Sequence, residues 1–182
     1  MSRSILVVYA TRAGSTREVA EVVGETLRSA GLKVDVRRLP FSGLLAEYDG
    51  VVLGAPLYMY RWHKDAMRFL RKKRTVLKAL PVAVFALGPF NDVEKEWNDV
   101  REQLHRALVE FVWLRPMALK IFGGKYDPSR LPFPYNLVPG MKKVPVTDIR
   151  DWDDIRAWAE ELAAGFGAGD ATMGRRGQGD GV

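Results

Sequence analysis

Apolar positions along the chain follow two alternating rhythms. Ser4-Ile-Leu-Val-Val-Tyr9 is a continuous run rich in β-branched residues, as expected of a strand buried on both faces. Helical spacing follows, with Val19, Val23, Leu27 and Ala30 on one face and Gly31 as the stop. Val34 and Val36 alternate with charged residues, which predicts a strand nearer an edge. Leu44 and Leu45 lead into Gly50-Val-Val-Leu-Gly54, a second fully buried strand. A basic helix is expected from about His63 to Leu77, then a fourth strand over Pro81-Val-Ala-Val-Phe-Ala-Leu87. Val93, Trp97, Val100, Leu104, Leu108 and Phe111 form the stripe of the next helix. Met117 to Phe122 is a fifth strand, closed by Gly123-Gly124. Trp152, Ile155, Ala159, Leu162 and Phe166 line a last helix that starts near Asp151.

Five alternations of strand and helix predict an α/β domain, a parallel sheet with helices on both faces. Right-handed crossovers then leave few topologies. The domain is read as residues 1–166. Residues 125–147 are proline-rich and aperiodic, an insertion before the last helix. Gly167 to Val182 is glycine-rich and is expected to be a disordered tail.

Composition narrows the chemistry. The 182 residues suit one domain, and 47% hydrophobic residues allow a full core. There is no cysteine, so thiol nucleophiles, cysteine-ligated zinc and iron–sulfur clusters are excluded. The two histidines, His63 and His105, argue against a multi-histidine metal site. No apolar run approaches the ~20 residues that span a membrane, and the first ten residues do not read as a signal peptide. A cytoplasmic protein is expected, with contact to a membrane surface left open. The net charge of +6 is concentrated in Arg68-Phe-Leu-Arg-Lys-Lys-Arg74, either a solvated helix face or a docking surface. No nucleic-acid partner is expected, because charge alone speaks for one. Self-association is left open.

In open α/β sheets, ligands bind beyond the carboxyl ends of the strands. The first loop there is Thr11-Arg-Ala-Gly-Ser-Thr16, which runs into a helix start. Free N–H groups and the helix dipole suit a phosphate at that place. Thr11, Ser15 and Thr16 add hydroxyls, Gly14 permits close backbone approach, and Arg12 adds a charge. The plain alternative is a capping box, with Glu18 reaching back to Ser15. Neither Gly-Lys-Ser/Thr nor Gly-x-Gly-x-x-Gly follows the first strand, so neither a nucleoside triphosphate nor a dinucleotide finds its usual seat.

The loop after the third strand is Pro56-Leu-Tyr-Met-Tyr-Arg-Trp62. Tyr58, Met59, Tyr60 and Trp62 are apolar for a connection, and a flat ligand would explain them. The alternative is an apolar loop packed on the next helix. Leu87-Gly88-Pro89-Phe90-Asn91-Asp92 ends the fourth strand and offers an aromatic for the other side, or a simple turn.

Thr11-Arg-Ala-Gly-Ser-Thr16 resembles the flavodoxin phosphate loop, Ser/Thr-x-Thr-Gly-x-Thr, with Ala13 where a hydroxyl residue is usual. Pro56 to Trp62 stands where that family holds the isoalloxazine ring. The resemblance runs from about residue 4 to 166. It is tightest to the group that includes the menaquinone-dependent protoporphyrinogen oxidases of bacteria, through Tyr9-Ala-Thr-Arg-Ala-Gly-Ser-Thr-Arg-Glu18, Tyr48-Asp-Gly-Val-Val-Leu-Gly-Ala55, Gly123-Gly124 and Asp151-Trp152. It implies a doubly wound five-stranded parallel sheet of order 2-1-3-4-5. It also implies FMN as cofactor, held by the three loops, and an FMN-dependent oxidoreductase passing electrons from an organic substrate to a quinone-type acceptor. The alternative is a non-enzymatic carrier that docks a redox partner protein.

Charge bears on that choice. Arg61, Lys64, Arg68 and Arg71 to Arg74 lie in or after the aromatic loop. A unit positive charge about 10 Å from a reduced flavin stabilises it by ~1.7 kcal/mol at an effective dielectric of 20, or roughly 70 mV for one electron. Such a flavin is tuned to accept electrons from an organic substrate. No acid–base residue stands out. His63 is either a proton carrier near the aromatic loop or a helix-start residue, and the second reading is favoured. His105 is expected to be structural.

Overall fold

The computed structural model describes residues 2–58, 61–131 and 133–167. Met59, Tyr60 and the tail beyond Gly167 lie outside the described residues. In chain order the elements are β1 (Ser4–Tyr9), α1 (Ser15–Ser29), β2 (Lys33–Arg38), β3 (Gly50–Tyr58), β4 (Arg61–Trp62), α2 (Lys64–Leu77), β5 (Val82–Leu87), α3 (Glu94–Val109), β6 (Ala118–Phe122), β7 (Lys125–Tyr126), α4 (Pro139–Lys142), β8 (Thr147–Asp148) and α5 (Trp152–Gly167).

The long strands run parallel in the order β2-β1-β3-β5-β6, and the two-residue β4 folds back antiparallel on β3. With β4 set aside this is the expected 2-1-3-4-5 sheet. Each long strand except β2 and β6 is buried on both faces, which explains the unbroken apolar runs. The edge position of β2 accounts for its alternation with charge. Successive side chains supply two separate cores. Leu6, Val8, Leu53, Val84 and Ala86 face α2 and α3. Ile5, Val7, Tyr9, Phe85 and Phe122 face α1 and α5, where Trp158 and Phe166 close the layer.

Two details differ from the periodicity. Val93 is exposed and precedes α3 as its N-cap, while Phe111 is buried in the turn beyond it. His105 is exposed on α3. Residues 125–147 are more ordered than their lack of period suggests, because β7 pairs antiparallel with β8. The amide of Gly124 donates to Pro89 O at 2.7 Å, and that of Ile149 donates to Gly124 O at 3.1 Å. The segment is thereby pinned to the ends of β5 and β6. Among the described residues, no helix is long and apolar enough to cross a membrane.

Candidate functional site

β1 continues through α1 toward β2, and β3 continues through α2 toward β5, so the connections diverge at β1 and β3. A crevice opens at that switch point, beyond the carboxyl ends of the strands. Arg12, Ala13 and Ser15 line one end. Pro56, Leu57, Tyr58, Leu87 and Phe90 line its floor and side. Gly124, Lys125, Tyr126, Asp127 and Leu131 form the remaining wall.

The first loop is built around a left-handed residue. Gly14 has φ +93° and is the N-cap of α1 without a side-chain cap. Its amide donates to the Thr11 hydroxyl at 2.9 Å, an oxygen whose own proton remains available to a ligand. Thr16, in the first turn of α1, is completely buried, and its hydroxyl has no hydrogen-bond partner. A buried polar group left unmatched costs free energy, so this hydroxyl needs explaining. The first-turn amides of α1 are available in the same place.

The capping-box alternative is not what forms. Glu18 turns instead to Arg150, whose Nη1 lies 2.7 Å from its Oε2. Arg150 is almost fully buried, binds Asp148 through Nε and Nη2 at 2.7 and 2.6 Å, and lies over the Trp152 ring at 4.6 Å. Burial opposes the charged form of Glu18, but Arg150, with Lys125 and Arg130 behind it, more than offsets this. The carboxyl stays below its ordinary range. Arg150 thus ties the chain before α5 to the first turn of α1. A separation of 132 residues left no local signal of this contact.

The aromatic loop divides. Tyr58 lines the crevice, with the Arg12 guanidinium 4.8 Å from its ring centroid. Trp62 is buried in the core on the α2 side and donates to Ala55 O at 3.2 Å, so its ring is packing and not a crevice wall. Phe90 meets Tyr126 edge to face at 5.7 Å, and the Tyr126 hydroxyl donates to Met141 O at 2.6 Å. The second aromatic wall is therefore shared with the 125–147 segment. Gly88, Pro89 and Asn91 line an adjoining groove that shares Leu57 and Phe90 with the crevice. Asn91 and Asp92 serve α3: Asn91 binds Glu96 through its amide groups, and Asp92 accepts from Trp97 at 2.8 Å.

The later part of the basic helix, Arg71 to Arg74, is not where the charge argument put it. α2 runs antiparallel to the strands, so each residue beyond Lys64 recedes about 1.5 Å from the ligand edge. Arg71 grips Glu110 in a two-pronged ion pair beyond the end of α3, and Lys73 reaches Gly43 O. The cations that line the crevice are Arg12 and Lys125. Arg12 was expected there; Lys125 enters because the insertion folds back.

His63 is the N-cap of α2, and its Nδ1 accepts from the Asp65 amide at 3.2 Å. Burial first, then Arg12, Lys64 and Arg38, push its pKa below the ordinary 6.5 against the pull of Asp65. The neutral ring is the form that accepts. Since the folded-state value lies below the unfolded one, the contribution is complete above pH 6.5 and is lost as pH falls below it. Equilibrium unfolding of wild type should show this acid-side loss, and His63→Asn, which keeps an acceptor, should lack that component. Identical pH profiles would refute this role.

A family model described as a flavodoxin domain matches residues 6–135. The Escherichia coli K12 protein named protoporphyrinogen IX dehydrogenase (quinone) is 24% identical over 169 residues, covering 87% of this chain and 93% of that one. A solved short-chain flavodoxin associated with a non-canonical PDU bacterial microcompartment superposes with a TM-score of 0.58 at 18% identity, covering 91% of this chain and 99% of the other. The Streptococcus pneumonia TIGR4 flavodoxin gives 0.55 at 20%, covering 89% and 99%. At these identities the solved structures speak for the fold.

Proposed function

The chain belongs to the flavodoxin domain family, and on that premise we propose that it binds FMN and carries electrons from an organic substrate through it to a quinone-type acceptor. The observation that supports this most is the pairing, in one crevice, of a phosphate-suited helix start with apolar and aromatic walls. The buried, unpartnered Thr16 hydroxyl fits a phosphate oxygen. Thr11, Gly14 and Ser15 complete that end, and Tyr58 and Phe90 suit the two sides of a planar ring. Gly88 and Pro89 are proposed to continue the Phe90 side.

FMN, when bound, supplies reversible electron acceptance at its ring, the chemistry that the side chains lack. The protein positions it, shields it from water and sets its electrostatics. Arg12 and Lys125 beside the crevice favour added negative charge there. That favours oxidation of an organic substrate over donation to a low-potential partner. Likeness to the Escherichia coli dehydrogenase makes protoporphyrinogen IX the first substrate to try.

Purified protein should be yellow, release FMN identified by mass, and turn over protoporphyrinogen IX with a quinone. Stoichiometric FAD, or no flavin after incubation with excess FMN, would overturn the cofactor assignment. Bound FMN without turnover of any porphyrinogen would overturn the enzymatic reading and leave a carrier.

A further inference from the structure

FMN differs from riboflavin by one phosphate, and a cation outside the phosphate loop is poised over the place for it. Arg130 lies between β7 and β8, on the 125–147 segment. Its Nη1 stands 3.6 Å from where a Cβ on Gly14 would be, directly beside the N-cap of α1. Its present partners are loose: 3.4 Å to Glu18 Oε1 and 3.7 Å to Asp127 Oδ2, with the side chain half exposed. Glu18 does not depend on it, because Arg150 holds the other carboxylate oxygen at 2.7 Å. A second, independent observation lies in the same helical turn: the fully buried Thr16 hydroxyl without a partner.

We infer that Arg130 is a phosphate-binding residue of this chain, which gives up its loose ion pair with Glu18 for the flavin phosphate and so makes the site select FMN over riboflavin. The inference rests on the FMN reading above. A guanidinium binds a dianionic phosphate more strongly than a solvated carboxylate that another arginine already satisfies. The exchange needs only a side-chain rotation. It also gives the 125–147 segment a direct bond to the cofactor, beyond the wall that Tyr126 supplies.

The test is titration of the flavin-stripped full-length chain with FMN and, separately, with riboflavin, followed by flavin fluorescence. Arg130→Gln should weaken FMN about tenfold at low salt, change riboflavin less than about twofold, and narrow the gap as salt rises. Arg130→Lys should restore part of the FMN affinity. An equal loss for both flavins would make Arg130 a merely structural residue, and no loss for either would remove it from the site; both outcomes overturn the inference and leave the FMN reading standing. Wild-type protein that takes up neither flavin overturns the FMN reading itself.

Discussion

Thr16→Val is expected to stabilise the flavin-free protein while weakening FMN binding ten- to a hundredfold. The two effects have opposite signs because the same hydroxyl is a liability without ligand and an asset with it. Thr16 is completely buried and its hydroxyl has no partner. Valine keeps the β-branch and its helical rotamer and removes a polar group whose burial without a partner costs on the order of 1 kcal/mol or more. The flavin-free melting temperature should therefore rise by roughly 2–4 °C per kcal/mol for a chain of this size. With FMN present, the substitution removes a hydrogen bond to a charged group, worth about 1.5–3 kcal/mol. That corresponds to the predicted loss of affinity. Thr16→Ser should keep tight binding. The measurements are thermal unfolding without flavin and equilibrium titration with it. A valine variant with unchanged FMN affinity would mean that the phosphate does not sit at the start of α1.

Gly54→Ala should cost about 3 kcal/mol or more of stability, although it adds a single methyl group in a strand. Tyr9, Gly54 and Phe85 are side-by-side partners across β1, β3 and β5. A Cβ on Gly54 would stand 1.9–2.5 Å from three atoms of the Phe85 ring. The ring lies across the glycine and cannot yield, because it is fully buried and packed at 6.0 Å against both Phe122 and Trp158. Overpacking a close-fitted core costs roughly 1–3 kcal/mol and more where no neighbour can move. Since Gly54 ends the apolar stretch that leads into the crevice, flavin affinity should fall as well. The melting temperature should drop by roughly 6–12 °C. Adding Phe85→Leu should recover much of the loss, with a coupling that a double-mutant cycle reads directly. Additive effects of the two substitutions would refute the contact.

The elements, the parallel sheet and the first loop were legible in the residues because local rules govern them. A continuous apolar run marks a strand covered on both faces, helical spacing marks a one-sided helix, and a glycine before Ser15 and Thr16 marks a helix start open to an anion. The loop from Thr11 to Thr16 was read from that logic, and Pro56 to Tyr58, Leu87 and Phe90 from the aromatic make-up of the loops that follow the third and fourth strands. Their meeting at one switch point follows from topology, since the carboxyl ends of β1, β3 and β5 share an edge.

Contacts between distant segments were not legible. Trp62 looked like part of an aromatic clamp, yet the short β4 hairpin turns it into the core. Asn91 and Asp92, read as part of the third loop, also hold Glu96 and Trp97 of α3, partners that no local pattern announces. The run Arg71 to Arg74 looked like an electrostatic device, but α2 carries it away from the crevice. Arg130 and Arg150 gave no signal at all, because their partner Glu18 lies 112 and 132 residues earlier. Periodicity reports which face of an element is apolar, and that much the sequence determined by itself. Which charges and rings meet at the crevice depends on the direction of each helix and on how the 125–147 segment folds back. Those are properties of the packed chain, and the tertiary structure alone decided them.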